Sequence, residues 1–184
     1  LNDKVVDQFD LQLIASAKLL DEYRLEYVEA LKPILEHLIG DFLERHDVKL
    51  QYYRGWSSSE SLEDLLKSHR LNDRQKGFTH HGPHRADLRL RVGNIPAQDI
   101  LSRGQQKLLI CALKIAQGIL FTEKTNKHPI YLLDDIASEL DSMHQGILLS
   151  HLQDLDAQVF ITAISQASFE VIEGEVFELE TMTT

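Results

Sequence analysis

Two short apolar runs constrain the fold of this chain more than any other feature of its sequence. Residues 130–133 (IYLL) and 159–162 (VFIT) are too short for ordinary helices, and Pro129 bounds the first run. Continuous apolar runs of this length are typical of buried strands in parallel sheets. A helix predicted from about Met143 to Leu152 lies between them and gives a βαβ crossover its length. The chain is therefore predicted to be α/β, with a largely parallel sheet.

Two aspartates directly follow the first apolar run. Asp134 emerges at the carboxyl end of the predicted strand, where open α/β sheets bind their ligands. A carboxylate there suits Mg²⁺, and Asp135 beside it can orient or deprotonate a water for attack on a phosphoryl group. The alternative is a strand followed by a helix whose first acids complement its dipole. The residues alone leave both interpretations open.

The stretch LSRGQQKLLICALKIAQG, residues 101–118, contains the start of an amphipathic helix predicted to end near Gln117. A helix that follows a small polar residue such as Ser102 directs unpaired N–H groups and a partial positive charge outward, which favours an anion. Gly104 lets the backbone approach a phosphate closely. The alternative is an ordinary helix capped by Ser102. In both interpretations, the residues predicted on the buried face of the helix are Leu108, Leu109, Ala112, Ile115 and Ala116.

The N-terminal part of the chain is predicted to be one long helix. From Val5 to Arg45, apolar residues recur at three- and four-residue steps, the period of an amphipathic helix. Pro33 removes one backbone donor, so a kink or a break is predicted near Leu31. The apolar stripe needs a partner, which is later in this chain, in another copy, or in sequence outside these residues.

The middle of the chain is predicted to contain two strands and a helix. Residues 48–56 (VKLQYYRGW) favour a strand, and Ser59 or Ser61 is a predicted N-cap for the helix SLEDLLKSHR. Residues 88–92 alternate Leu or Val with Arg and are followed by a Gly-Asn turn at 93–94, a pattern typical of a half-exposed strand.

The charge distribution is uneven. The net charge of −10 argues against bulk attraction to nucleic acid. From Lys67 to Lys107, however, nine Lys and Arg residues stand against three acids. This segment is either a solvated charged surface or a region that something phosphate-bearing can approach. His80, His81 and His84 lie within it, but no acid or cysteine completes a metal-ligand set, so no metal site is predicted there.

The composition excludes several classes of protein. The one cysteine, Cys111, cannot form an internal disulfide, so a reducing cytoplasm is the expected location. No run of about 18 apolar residues is present, and no signal-peptide pattern occurs. Neither a membrane span nor export is therefore predicted.

Several motifs together resemble a known family. LSRGQQK, a helix, LLDD and SELD occur in the order of the signature motif, Walker B strand and D-loop of ABC-type ATPase heads. More narrowly, HHGPHRADLRL before the signature stretch, and LLDDIASELD with QVFITAIS, resemble the C-terminal part of the RecF family of bacterial DNA recombination and repair ATPases. The resemblance implies part of an ABC-type P-loop ATPase head over residues 76–184, preceded by a helical arm and lobe over residues 1–75.

The resemblance also implies roles for individual residues. Those that would contact ATP across a dimer interface are Ser102, Arg103, Gly104, Gln105, Ser138 and Asp141. Asp134 would serve Mg²⁺, and Asp135 would stand at the position of the catalytic carboxylate. A possible phosphate-binding or structural role falls to His84, Arg85 and Asp87.

The implied function is ATP-dependent binding of double-stranded or gapped DNA in recombinational repair, replication restart and the SOS response. ATP and Mg²⁺ would be the cofactors, a homodimer the closed form, and the recombination mediators RecR and RecO the protein partners. The parent protein would be a weak DNA-dependent ATPase. Two alternatives remain open: an ABC transporter ATPase fragment, and a non-catalytic dimerisation module.

Two departures from the family pattern matter. The 184 residues contain no G-x-x-x-x-G-K-[ST] loop, so the chain is expected to be a C-terminal fragment that lacks Walker A and is inactive alone. Many ABC ATPases also carry a switch histidine after the next strand, where this sequence has Ala163.

Overall fold

The computed structural model describes residues 3–43, 46–134, 140–155, 157–162, 174–175 and 177. The chain divides into two compact units, residues 1–120 and 121–184. The division falls between residues 120 and 121, whereas we predict a domain boundary between residues 75 and 76. The predicted boundary stays a prediction. Within the described residues, no helix has the length and apolar character needed to span a membrane.

The first unit begins with helix α1, Asp3–Phe42, which passes through Pro33 without a break. The prediction of a helix is confirmed, and the alternative of a break near Leu31 is wrong. Pro33 is exposed, while Leu31 and Leu35 on either side are fully buried. Because packing of the buried stripe stabilises the helix, it offsets the loss of one backbone hydrogen bond at the proline.

The buried stripe of α1 finds its partners later in the same chain. The C-terminal half of α1 packs against strand β1, Val48–Tyr53, and the N-terminal half packs against helix α2, Leu62–Lys76. Ser61 caps α2 as predicted, and its Oγ accepts from the Asp64 amide at 3.0 Å. The residues that form the core between α1 and α2 are Ala17, Trp56, Leu62, Leu65 and Leu66.

The sheet of the first unit is antiparallel and is built from the strands predicted in the middle of the chain, whose pairing was not predicted. Strand β2, Asp87–Val92, pairs with β1 on one edge and with β3, Ile95–Pro96, on the other. The predicted Gly-Asn turn joins β2 to β3, and Gly93 adopts a φ of 58° there. The two apolar runs predicted to pair in parallel belong to the second unit, where they do so.

Two helices follow β3. The short helix α3, Ala97–Ile100, contacts both β2 and β3, and α4, Arg103–Thr125, follows it. All five residues predicted on the buried face of α4 are buried, so that prediction is confirmed. The helix itself extends about two turns beyond the predicted end.

The second unit contains the predicted βαβ arrangement. Strand β4, Ile130–Leu133, is followed by helix α5, Ser142–Gln153, and by strand β5, Gln158–Ile161, which pairs in parallel with β4. The expectation that these strands are buried is wrong. Ile130 and Leu132 are 61% and 78% exposed. In this two-stranded sheet every second residue points to a face that the described residues leave open.

A close backbone contact joins the end of β1 to the segment before β2. The Gly82 amide donates to the Gly55 carbonyl at 3.2 Å, and both glycines have positive φ angles of 147° and 104°. A Cβ on Gly55 would lie 2.0 Å from the Gly82 carbonyl oxygen. The 3₁₀ turn Pro83–Arg85 follows directly. The contact therefore positions residues 82–85, which we call the GPHR segment.

Gly55→Ala is expected to destabilise the chain by at least about 2 kcal/mol, because alanine meets both a strained φ and a backbone clash there. The measurement is the free energy of unfolding in urea. Gly40→Ala is the control, since nothing lies within 4 Å of a Cβ at that helical position. The control should be neutral or stabilising by up to about 1 kcal/mol. Equal stabilities of the two variants would contradict this account of the contact.

Candidate functional site

The start of α4 carries a reciprocal cap. The Gln105 amide donates to Ser102 Oγ at 3.3 Å, and the Ser102 amide donates to Gln105 Oε1 at 3.0 Å. This is the capping-box arrangement, in which two otherwise unpaired donors of the helix start are satisfied. The capped-helix alternative therefore describes Ser102 and Gln105 in this chain, although the Ser102 hydroxyl can still donate to a ligand.

Two other backbone donors of this turn stay available. The N–H groups of Arg103 and Gly104 have no hydrogen-bond partner within the described part of the chain. No heavy atom lies within 4 Å of a Cβ built on Gly104, and the Arg103 side chain is exposed. The turn therefore offers two N–H groups and a guanidinium to an approaching anion.

Gln106 holds this turn in place. Its side-chain amide donates to the carbonyl of Gln98 in α3 at 3.0 Å and to that of Leu101 at 2.9 Å. Because α3 rests on β2 and β3, the antiparallel sheet positions the start of α4. Sequence reasoning assigned no positioning role to Gln106.

A second group of polar atoms lies at the carboxyl edge of the β4–β5 pair. Asp134 is exposed directly after β4, and the Thr162 hydroxyl, directly after β5, donates to Asp134 Oδ1 at 2.5 Å. The Thr162 amide also donates to the Leu133 carbonyl at 2.9 Å. Sequence reasoning missed Thr162, although parallel pairing of the two apolar runs places both residues at one edge.

Asp141 caps helix α5. Its carboxylate accepts from the His144 amide at 3.0 Å and lies 2.7 Å from His144 Nδ1. These hydrogen bonds, the backbone one first, hold the pKa of the Asp141 carboxyl below its ordinary value of 3.8. The predicted ATP contact of Asp141 stays a prediction. Asp135 and Ser138, for which roles were also predicted, lie outside the described residues.

The GPHR segment is held from several sides. Arg24 of α1 donates to the Pro83 carbonyl at 2.8 Å, and His84 Nε2 lies 2.8 Å from the Thr79 carbonyl. The Arg85 guanidinium stacks 5.6 Å from the centre of the Phe78 ring. Asp87 begins β2, with its carboxylate 3.5 Å from Arg89 Nε. These contacts hold the segment and leave Arg85 exposed, and the roles predicted for His84, Arg85 and Asp87 stay predictions.

Arg24 belongs to a polar cluster between α1 and β1. Asp21 is buried, and its Oδ2 pairs with Arg54 Nη2 at 3.0 Å. Burial raises the pKa of the Tyr52 hydroxyl, and the neighbouring Asp21 carboxylate raises it further. This cluster attaches the arm helix to the strand that supports the GPHR segment.

His80 and His81 contact neighbouring side chains. Among the described residues no cluster of His, Cys, Asp and Glu has metal-binding geometry. His80 Nδ1 lies 2.5 Å from Asp73 Oδ1, and the His81 ring packs edge-on against His69. Burial lowers the pKa of the His81 imidazole, and the proximity of His69 adds to this effect.

Comparison with known proteins defines the class. The chain belongs to the family described as the RecF/RecN/SMC N-terminal domain, whose model matches residues 2–182. The fold is that of a partial ABC/SMC-type ATPase head, with a helical part, antiparallel strands and a small parallel sheet. The family description refers to an N-terminal domain, which does not support our placement of the chain in the C-terminal part of RecF.

Within that family the chain is similar to RecF. It is 50% identical over 160 residues to the DNA replication and repair protein RecF of Shewanella sp. strain W3-18-1, covering 87% of this chain and 44% of the relative. The RecF protein of Shewanella sp. strain MR-4 is 48% identical over 163 residues, covering 89% of this chain and 45% of the relative. The chain thus spans less than half the length of these relatives.

A solved structure has the same fold. The recombination mediator protein RecF in complex with ATP, from the RecFOR pathway, matches with a TM-score of 0.76 over 94% of this chain and 47% of that one. The identity is 24%, so this likeness concerns the fold. A second RecF structure, described as RecF-ATPrS, matches with the same TM-score over 95% of this chain and 48% of that one.

Ser102→Ala is expected to lower the free energy of unfolding by about 1 kcal/mol, because it removes one half of the capping box. Ser102→Asp should retain most of the stability, since aspartate is as good an N-cap as serine. Urea unfolding of both variants measures the difference. An alanine variant as stable as the parent chain would show that the cap contributes nothing.

Asp141→Ala is expected to lower the Tm at neutral pH, because helix α5 loses its cap. The depressed pKa means that the carboxylate stabilises the fold above about pH 3.8 and that this contribution is lost as the pH falls through the lower folded-state pKa. The Tm difference between the parent and the variant should therefore shrink below about pH 3.8. A difference that stays constant through that range would refute the role of the charged carboxylate.

Proposed function

We propose that this chain is part of an ATP-binding, DNA-binding protein of replication and recombinational repair that acts in the cytoplasm. One observation carries the proposal. The chain belongs to the RecF/RecN/SMC family, and it has an open helix start at Arg103 and Gly104 and an exposed carboxylate at Asp134. These groups lie at the signature and Walker B motifs, where nucleotide chemistry is expected. The named relatives are DNA replication and repair proteins, which supports the biological role.

The helix start is proposed to bind the γ-phosphate of an ATP held by a second protomer. The free N–H groups of Arg103 and Gly104 would donate to the phosphate oxygens, and the Arg103 guanidinium would add a charge-assisted contact. Ser102 would use its hydroxyl hydrogen for the same ligand while its oxygen keeps capping the helix. Gln105 would contribute by holding Ser102 in place. Asp141 and Ser138 would lie at the same interface.

Asp134 is proposed to serve Mg²⁺ at the other nucleotide. The Thr162 hydroxyl donates to Oδ1 and orients the carboxylate, and no contact to Oδ2 comes from the described residues, so Oδ2 would be the oxygen for a metal or its water. Bound Mg²⁺ would neutralise phosphate charge. Asp135, next in the chain, would orient the attacking water. The loop that cradles the remaining phosphates is not among these 184 residues.

We further propose DNA and protein partners for the protein that contains this chain. Double-stranded or gapped DNA is the proposed substrate, an ATP-closed homodimer the binding form, and replication restart and the SOS response the setting. RecO and RecR are the proposed partners, since the solved RecF structure is described within the RecFOR pathway. ATP binding would close the dimer on DNA and weak hydrolysis would open it, a shift of population driven by a ligand.

The transporter alternative lacks comparable support, because the family match and the named relatives are RecF-like. Copurification of the full-length protein with a membrane permease, rather than salt-sensitive retention of double-stranded DNA, would favour it.

A non-catalytic dimerisation module has one observation in its favour. Several large apolar side chains of α1 are exposed, among them Phe9, Tyr23 and Tyr27. Light scattering of the purified chain tests this second candidate. A well-folded, strictly monomeric species would contradict it.

The 184-residue chain alone should neither bind ATP tightly nor hydrolyse it, because a phosphate-cradling loop is missing from its sequence. A phosphate-release assay on the purified chain is the measurement. Turnover that Asp135→Asn abolishes would overturn this expectation.

In a full-length protein that contains this chain, Asp134→Asn should weaken Mg²⁺-dependent ATP binding by at least about tenfold. Asn keeps the size of the side chain and a hydrogen-bond acceptor for Thr162 but loses the charge that attracts the metal. Asp154→Asn is the matched control, since Asp154 is also exposed in the second unit but ends α5. Titration with a fluorescent ATP analogue, with and without Mg²⁺, distinguishes the variants. Equal affinities would remove Asp134 from the proposed site.

A further inference from the structure

One face of the antiparallel sheet in the first unit is basic and exposed. In the β1–β2 register, residues directly opposite each other point to the same side of the sheet. Val48 and Leu50 point to the buried side. We call the opposite side the basic sheet face, and it consists of Lys49, Gln51, Tyr53, Asp87, Arg89 and Arg91.

The Arg89 guanidinium is oriented by an aromatic ring and keeps its donors available to an anion. It stacks 4.1 Å from the centre of the Tyr53 ring. The N–H bonds of a guanidinium lie in its own plane, so stacking consumes none of its five donors. The contact to Asp87 is long, at 3.5 Å, and both side chains are well exposed, so it binds Arg89 weakly. Most of these donors therefore remain available to a phosphate.

Arg91 adds a second, half-buried cation two residues further along the strand, about 7 Å away. It donates to the Asn94 carbonyl and pairs with no carboxylate in the described part of the chain. Lys49 differs, because its Nζ lies 3.2 Å from Glu36 and 3.1 Å from Asp47. The two arginines, rather than Lys49, are thus the cations of this face that can bind an external anion.

We propose that the basic sheet face, through Arg89 and Arg91, contacts the phosphate backbone of double-stranded DNA. The proposal rests on the proposed function and adds a location to it. A row of arginines along a pair of strands fits an extended polyanion, because successive phosphates of a backbone can meet successive arginines. The positive charge of this face would offset locally the repulsion between the net negative charge of the chain and DNA.

The test uses a full-length protein that contains this chain, with ATP and Mg²⁺ present. Its affinity for a labelled DNA duplex is measured at a series of salt concentrations. Arg89→Gln combined with Arg91→Gln should weaken binding by about tenfold or more and reduce the salt slope by about 1 to 2, as expected for the loss of two phosphate contacts. Affinity for a fluorescent ATP analogue should not change.

A matched control removes two charges elsewhere in the same unit, with Lys18→Gln and Lys67→Gln. This variant should bind DNA within about twofold of the parent, because a local contact and not the total charge determines affinity. Arg89→Lys with Arg91→Lys should restore most of the salt slope. An arginine-to-glutamine variant that binds as well as the control would overturn the proposal. A parent protein that binds no duplex would overturn the proposed function itself, and this location with it.

Discussion

The first backbone N–H groups of a helix have no partner inside the helix, and at the start of α4 only some of them find a partner elsewhere in the chain. Ser102 and Gln105 cap each other, while the N–H groups of Arg103 and Gly104 find no partner among the residues that the structure describes. Gln106 and α3 fix that turn on the antiparallel sheet, which in turn packs on the arm helix α1. The elements of the first unit thus support a small set of unpaired donors, which is what a phosphate requires.

The second unit positions its polar groups with two strands only. A parallel strand pair places Asp134 and Thr162 at one edge, and the threonine orients the carboxylate. Under the proposed function each unit would present one part of a nucleotide site, and the 184-residue sequence contains no G-x-x-x-x-G-K-[ST] loop to cradle a triphosphate. The proposed role for a second protomer follows from this incompleteness and from the family to which the chain belongs.

Local signals in the sequence predicted local structure well. The Ser61 cap, the buried face of α4 and the βαβ arrangement of the second unit depend on residues close in sequence, and all were predictable. Features that join distant segments were not. The antiparallel pairing of β1 with β2 and the contact of Gly55 with Gly82 leave no periodic signal. The exposure of β4 escaped prediction because an apolar run indicates a strand suited to burial and does not reveal how much of the chain covers it.

The central claim is that Ser102 and Asp134 serve two different ATP molecules, one of them held by a partner subunit. Sedimentation velocity of a full-length protein carrying Ser102→Asp tests this most directly, because aspartate preserves the helix cap but places a carboxylate where the γ-phosphate of the partner's ATP would lie. The account predicts that this variant binds ATP with unchanged affinity as a monomer and fails to form the ATP-dependent dimer. A variant that dimerises with ATP like the parent, or that loses ATP binding as a monomer, would contradict it.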